Sequence, residues 1–245
     1  MMESKTILIT GGTAGIGLAA ASHFCQQGHR VIITGRDSQR LDEALKTLDY
    51  RATGILCDSG NMAQIRQLQQ TLAEERILLD ALVLNAGVFH PGEFAACTES
   101  QFDATMDVNL KGPFFTLQAL LGQLASPASV IFISSLAVEK AFAGTSVYSA
   151  SKAAFEAAAR VLNQELAPAG IRINSIRPGV TATEIQAKAG MTTEEIHALT
   201  DGLAATPLGR ILQVEDIVPA IDYLVSDAAV GLRNAHISID GGYSL

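Results

Sequence analysis

The segment Lys5-Thr-Ile-Leu-Ile-Thr-Gly-Gly-Thr-Ala-Gly-Ile-Gly17 runs an apolar, β-branched stretch directly into a cluster of glycines. Lys5 to Thr10 reads as a strand, the glycines as a tight turn, and Leu18 to Gln27 as a helix that stops at Gly28. His29 to Thr34 then reads as a second strand. Strand, glycine turn, helix and strand within about thirty residues is the setting that makes a glycine pattern a dinucleotide site. The glycines permit the bend and let backbone N–H groups approach a pyrophosphate, which the helix N-terminus stabilises. The spacing is Gly11-x-x-x-Gly15-x-Gly17, with Thr13 and Ile16 in the same turn, and these five residues are the expected cofactor contacts. The competing reading is a glycine-rich strand-to-helix turn that binds nothing.

The end of the second strand discriminates between dinucleotides. An acidic side chain there holds the ribose hydroxyls of NAD, whereas a basic one accommodates the 2′-phosphate of NADP. Here Gly35 and Arg36 follow the strand. Gly35 removes the repelling carboxylate, and Arg36 presents a planar fork suited to phosphate. Asp37 becomes the ribose ligand if the strand runs longer. Read as the cap of a helix over 38–48, it leaves Arg36 at the phosphate position, and NADP(H) is the expected cofactor.

Further along, apolar strands are predicted near 5–10, 30–34, 53–57, 80–84, 129–134, 171–177 and 236–239, with helices near 15–27, 38–48, 61–75, 99–124, 146–167 and 214–226. This alternation predicts an α/β fold: a Rossmann-type, doubly wound, seven-stranded parallel sheet with helices on both faces, in a single domain over 1–245. Ligands of such sheets bind beyond the carboxyl ends of the strands. Gly11, Gly35, Asp58, Asn85, Ser135 and Pro178 all fall at predicted strand ends.

Tyr148 and Lys152 are four residues apart on the helix predicted over 146–167, so they share a face. A free tyrosine, with a pKa of about 10, is a poor acid or base at neutral pH. The lysine is expected to favour the phenolate and draw that pKa toward the working range. Ser135, at the end of an apolar strand, brings a hydroxyl able to share charge developing on a substrate oxygen. The competing reading is an ordinary tyrosine packed on a lysine stem. The strand-end placement of the other motifs favours a proton-transfer site.

Together, Thr10-Gly11-x-x-x-Gly15-x-Gly17, Cys57-Asp58, Asn85-Ala86-Gly87, Asn109, Ser135, Tyr148-x-x-x-Lys152 and Pro178-Gly179 resemble, in this order, the short-chain dehydrogenase/reductase family from Lys5 to Gly242. The resemblance implies a catalytic set of Asn109, Ser135, Tyr148 and Lys152, with Asn109 anchoring a water linked to Lys152. It also implies that Asp58 touches adenine and that Asn85, Ala86 and Gly87 stabilise the central sheet beside the cofactor. Lys152 and Tyr148 would face the nicotinamide ribose, Pro178, Gly179 and Thr181 would border the nicotinamide, and Thr183 would bond its carboxamide. A homodimer or homotetramer built on the Tyr148 helix and the long helix before it is implied as well. Thr181 stands where the family usually has valine or isoleucine, and Ala14 replaces a basic residue common in NADP-preferring members. Gly231 to His236 departs from the usual approach to the last strand.

Bulk properties narrow the function classes. The chain has 245 residues, 48% hydrophobic and 17% charged, enough for a sizeable core. A net charge of −8, without basic runs interleaved with aromatics, argues against nucleic acid. Met1 to Lys5 lacks a leader pattern, and no apolar run is long enough to span a bilayer, so a cytoplasmic protein is expected. Cys25, Cys57 and Cys97 are scattered and read as small buried hydrophobes, with no metal site expected. Residues 184–210 look like a mobile stretch over the site. With His90 and Val138 to Thr145 they line a mostly neutral pocket, which points to a neutral or apolar carbonyl or alcohol substrate. A 3-oxoacyl thioester reductase is an alternative within the same chemistry, and a non-catalytic NADP(H) sensor is a rival outside it.

Overall fold

The computed structural model describes residues 4–245, so Met1 to Glu3 of the leader reading lie outside the described residues. Seven strands form one parallel sheet: β1 Thr6–Ile9, β2 Arg30–Gly35, β3 Ala52–Leu56, β4 Leu79–Leu84, β5 Leu124–Ile133, β6 Ile171–Pro178 and β7 His236–Ile239. Their order is β3-β2-β1-β4-β5-β6-β7, so the chain reverses direction across the sheet between β1 and β4. That reversal opens the crevice in which doubly wound sheets bind ligands.

Side-chain alternation explains why both faces are covered. Ile7 and Ile9 join Phe24, Val31, Ile33 and Ile221 in one core layer, whereas Leu8 joins Ile32, Leu82, Phe132 and Phe155 in the other. The first layer lies under α1 (Gly15–Gln26), α2 (Ser38–Thr47) and α9 (Val214–Val225). The second lies under α3 (Met62–Glu74), α5 (Gly112–Ala119) and α6 (Ser146–Glu165). Asp37 caps α2 by accepting the Arg40 N–H at 2.9 Å, as its reading as a helix cap required. Among the described residues no helix is long and apolar enough to cross a membrane.

Three expectations need correction. The helix predicted over 99–124 is broken into α4 (Glu99–Met106), a π-helical segment at Asp107–Lys111, α5 and a final short turn. The π segment carries Asn109, and such bulges re-aim side chains in ways that apolar periodicity cannot reveal. The stretch 184–210, where no helix is predicted, holds α7 (Ile185–Lys188) and α8 (Thr193–Gly202). Cys25 and Cys57 are buried as expected, but Cys97 is exposed.

Gly112 starts α5 where the helix crosses the loop after β3, and a Cβ there would lie 2.3 Å from the Ser59 carbonyl oxygen. Alanine is ordinarily the better helix former, but here backbone overlap decides the sign. Gly112→Ala should destabilise the protein by about 1–3 kcal/mol. Urea unfolding checks this: an unchanged or raised midpoint contradicts the close approach.

Candidate active site

The glycine turn is held by Asn85. Its Nδ2 donates to the carbonyl oxygens of Thr10 and Gly11, each at 3.0 Å, and the backbone N–H groups of Asn85 and Ala86 donate to the Thr10 hydroxyl. The ends of β1 and β4 are thereby welded at the sheet reversal. A Cβ on Gly17 would lie 2.5 Å from both Asn85 Nδ2 and the Gly11 carbonyl oxygen, so only glycine fits. The turn and the start of α1 leave the backbone-lined cradle that a dinucleotide pyrophosphate requires, and the residues present fit that group.

At the end of β2, Arg36 is exposed and forms no ion pair among the described residues. It borders a cavity of about 460 Å³ with Asp58, Gly60, Asn61, Val108 and Lys111. Asp58 accepts the Gly60 N–H at 2.9 Å, which fixes its carboxylate on the cavity wall. The Asp37 carboxylate is occupied with its cap.

Tyr148 and Lys152 lie on one face of α6, with Ser135 at the end of β5. Lys152 is buried, with Nζ donating to the Ile133 carbonyl at 2.8 Å and lying 4.9 Å from the centre of the Phe132 ring. Burial disfavours its charge and brings its pKa down to about 8, against a smaller opposing pull from Glu156. Tyr148 departs from expectation. Its pKa is raised by desolvation, with only a partial offset from the Ser135 hydroxyl. Lys152 Nζ is 5.9 Å from the Tyr148 ring centre and its hydrogen bond is spent on Ile133, so it does not draw the phenol down in this arrangement.

Asn109 is fully buried. Its amide exchanges hydrogen bonds with the backbone of Val88 at 2.9 Å in both directions and donates to the Ser151 hydroxyl at 3.1 Å. A Cβ on Gly87 would meet Lys152 Nζ at 3.3 Å and Asn109 Oδ1 at 3.4 Å, so the two polar groups flank one spot above that glycine. At the end of β6, Gly179 packs against Asp240 and donates to the Ile239 carbonyl, following Pro178. Thr181 is buried and spends its hydroxyl on the Gly179 carbonyl. The Thr183 methyl comes within 3.2 Å of a Cβ position on Gly15, laying this segment over the glycine turn. His90 is exposed and pairs with Thr105 at 3.2 Å.

Three neighbours went unnoticed in the sequence. Phe89 packs its ring edge-on against Tyr148, centres 5.0 Å apart, and forms one wall beside the phenol. Glu156, one turn beyond Lys152, is buried and accepts from Arg177 Nε at 2.9 Å and Nη2 at 2.6 Å. The spacing Tyr148, Lys152, Glu156 was the available signal, since all three fall on one helical stripe.

The model of a family described as enoyl-(acyl carrier protein) reductase matches residues 11–244. An uncharacterized oxidoreductase of Methylorubrum extorquens is 33% identical over 246 residues, covering 98% of each chain. Dehydrogenase/reductase SDR family member 4 of Homo sapiens is 30% identical, over 98% of this chain and 88% of its own. Among solved structures, a blue fluorescent protein from a metagenomic library, in complex with NADPH, superposes with a TM-score of 0.87 at 27% identity, covering 98% of both chains.

The buried ammonium gives a direct measurement. In protein carrying ¹³C-labelled lysine, one resonance should titrate with a midpoint at about 8 and vanish in Lys152→Met. A Lys152 midpoint at the ordinary value of about 10.4 contradicts the burial argument.

Proposed function

Because the chain belongs to the short-chain dehydrogenase/reductase family, we propose that it is an NADP(H)-dependent oxidoreductase interconverting a carbonyl and a secondary alcohol, with Tyr148 as general acid/base. The observation that carries this reading is the convergence of Ser135, Tyr148 and Lys152 at the carboxyl ends of β5 and β6, beside the glycine cradle. When bound, the nicotinamide supplies or accepts hydride. Gly11, Thr13, Gly15, Ile16 and Gly17 hold the pyrophosphate, Asp58 touches the adenine, Asn85 to Gly87 stabilise the central sheet beside the cofactor, and Pro178, Gly179, Thr181 and Thr183 border the nicotinamide side. Ser135 hydrogen-bonds the substrate oxygen. Tyr148 gives that oxygen its proton, and Lys152 on the same helical face binds the nicotinamide ribose. Asn109 fixes the backbone beside Gly87 and supports the route by which the proton is replaced.

A raised Tyr148 pKa keeps the phenol protonated at neutral pH, which suits the acid role and favours reduction. The preference for NADP(H) rests on Arg36, which is unpaired at the mouth of the cavity while Asp37 caps α2. Residues 184–210 act as the segment covering the substrate, and Glu184, Gln186, Ile196, Leu199 and Thr200 within it line a cavity shared with Gly15 of the glycine turn. Phe89 beside the phenol supports a neutral or apolar carbonyl compound, and the acyl carrier named in the matching family's description keeps a 3-oxoacyl thioester as the alternative substrate class. Exposed Phe102, Phe115 and Val161 on α4, α5 and α6 support a homodimer or homotetramer, and three free cysteines suit a reducing compartment such as the cytoplasm.

Tyr148→Phe should retain NADPH binding by calorimetry and lose at least about a thousandfold in carbonyl reduction, at the upper range for general acid catalysis. Turnover near the wild-type rate in this variant refutes the assigned acid. Arg36→Ala should weaken NADPH binding about tenfold or more and leave NADH binding nearly unchanged, since a charge-assisted phosphate contact contributes about 1.5–3 kcal/mol. Equal losses for both cofactors would move the adenosine contact away from Arg36.

A further inference from the structure

We propose that Glu156 and Arg177 form a positioning pair for the proton-transfer site, bracing the Tyr148–Lys152 helix against the strand that ends in Pro178–Gly179 and holding Lys152 in its charged form. The proposal rests on the function above and adds two residues to it.

The geometry ties three segments together. Arg177 is the residue before Pro178 on β6, and its guanidinium grips both oxygens of the Glu156 carboxylate on α6. Its Nη1 also contacts Glu139, four residues beyond Ser135, and the second Glu139 oxygen accepts from Ser238 on β7 at 3.1 Å. One arginine therefore links the turn after Ser135, the helix of Tyr148 and Lys152, and the strand end at Gly179. A planar fork holding a buried carboxylate fixes distance and angle together, which a lysine would not.

The electrostatics act in the same direction. Lys152 has Tyr148 and Glu156 of α6 beside it, and Glu156 in turn faces Arg177 on β6 and His236 on β7, whose Nδ1 lies 3.7 Å from Glu156 Oε2, with Glu139 after β5 on Arg177. Burial alone would push the Glu156 carboxyl up, but the hydrogen bonds and charge of Arg177 overcome it, so Glu156 is ionised at neutral pH. That negative charge opposes the desolvation of Lys152. Removing it leaves the desolvation of Lys152 unopposed, so its proton must leave at lower pH.

The test is the ¹³C-lysine titration of wild type, Glu156→Gln and Glu156→Asp, which needs neither cofactor nor substrate. The expected result is a Lys152 midpoint about one pH unit lower in Glu156→Gln and substantially restored in Glu156→Asp. An unmoved midpoint overturns the proposal. If Glu156→Gln does not fold, Glu156→Gln/Arg177→Gln, which leaves no buried arginine without its carboxylate, is read by the same criterion. Reduction of 4-nitroacetophenone with NADPH supplies a second readout. The alkaline limb of kcat should follow the midpoint downward, whereas a merely structural role would lower kcat equally at every pH. Tyr148→Phe in the same assay separates the two claims. Turnover there sinks the assigned acid, whereas an inactive Tyr148→Phe with an unmoved Glu156→Gln limb sinks only the positioning pair.

Discussion

An ammonium has been carried out of water and kept beside a phenol, and much of the surrounding structure answers to that constraint. Lys152 is 3% exposed, and an unpaired charge so deeply placed costs several kcal/mol. Its compensation comes from groups far apart in the chain. The Ile133 carbonyl takes a hydrogen bond, the Phe132 ring lies within cation–π reach, and the Glu156 carboxylate lends its field one helical turn away. Each depends on α6 lying across the ends of β5 and β6. The pairing of Phe132 with Phe155, ring centres 4.2 Å apart, sets that crossing. Core packing and the lowered pKa of Lys152 are thus two consequences of one helix placement.

The opposite half of the crevice is governed by backbone approach instead of charge. Asn85 stitches β1 to β4 through the carbonyls of Thr10 and Gly11, and its amide occupies the volume that any side chain at Gly17 would need. Beside it, Asn109 fastens Val88 to α6 through Ser151. The two asparagines act as cross-braces on either side of Ala86 and Gly87. A site assembled from strand ends has few regular hydrogen bonds of its own, and side-chain amides that both donate and accept supply them.

Much of this was legible in the residues. The apolar, β-branched run into the glycine cluster and the recurrence of strand and helix signals predicted a doubly wound parallel sheet, and the strand ends fell within a few residues of Thr10, Arg36, Asn85 and Ser135. Asp37 read as a cap is a cap. The long helix over 99–124 was misread because a π-helical turn at Asn109 preserves apolar character while shifting the side-chain phase. Cys97 was misread because a cysteine's burial depends on its neighbours and not on its own chemistry.

The sequence by itself determined which groups share a surface locally. Four-residue spacing placed Tyr148, Lys152 and Glu156 on one helical stripe, and the glycine spacing at Gly11, Gly15 and Gly17 demanded a turn that admits close backbone approach. Those are short-range consequences of helix pitch and of a missing Cβ. Only the tertiary structure decided how the groups titrate and what braces them. Lys152 was expected to draw Tyr148 toward neutrality. Instead, enclosure by β5 and β6 raises the phenol, lowers the ammonium to about 8, and pairs Glu156 with an arginine 21 residues away. Desolvation depends on everything packed around a group, and no spacing along the chain encodes it.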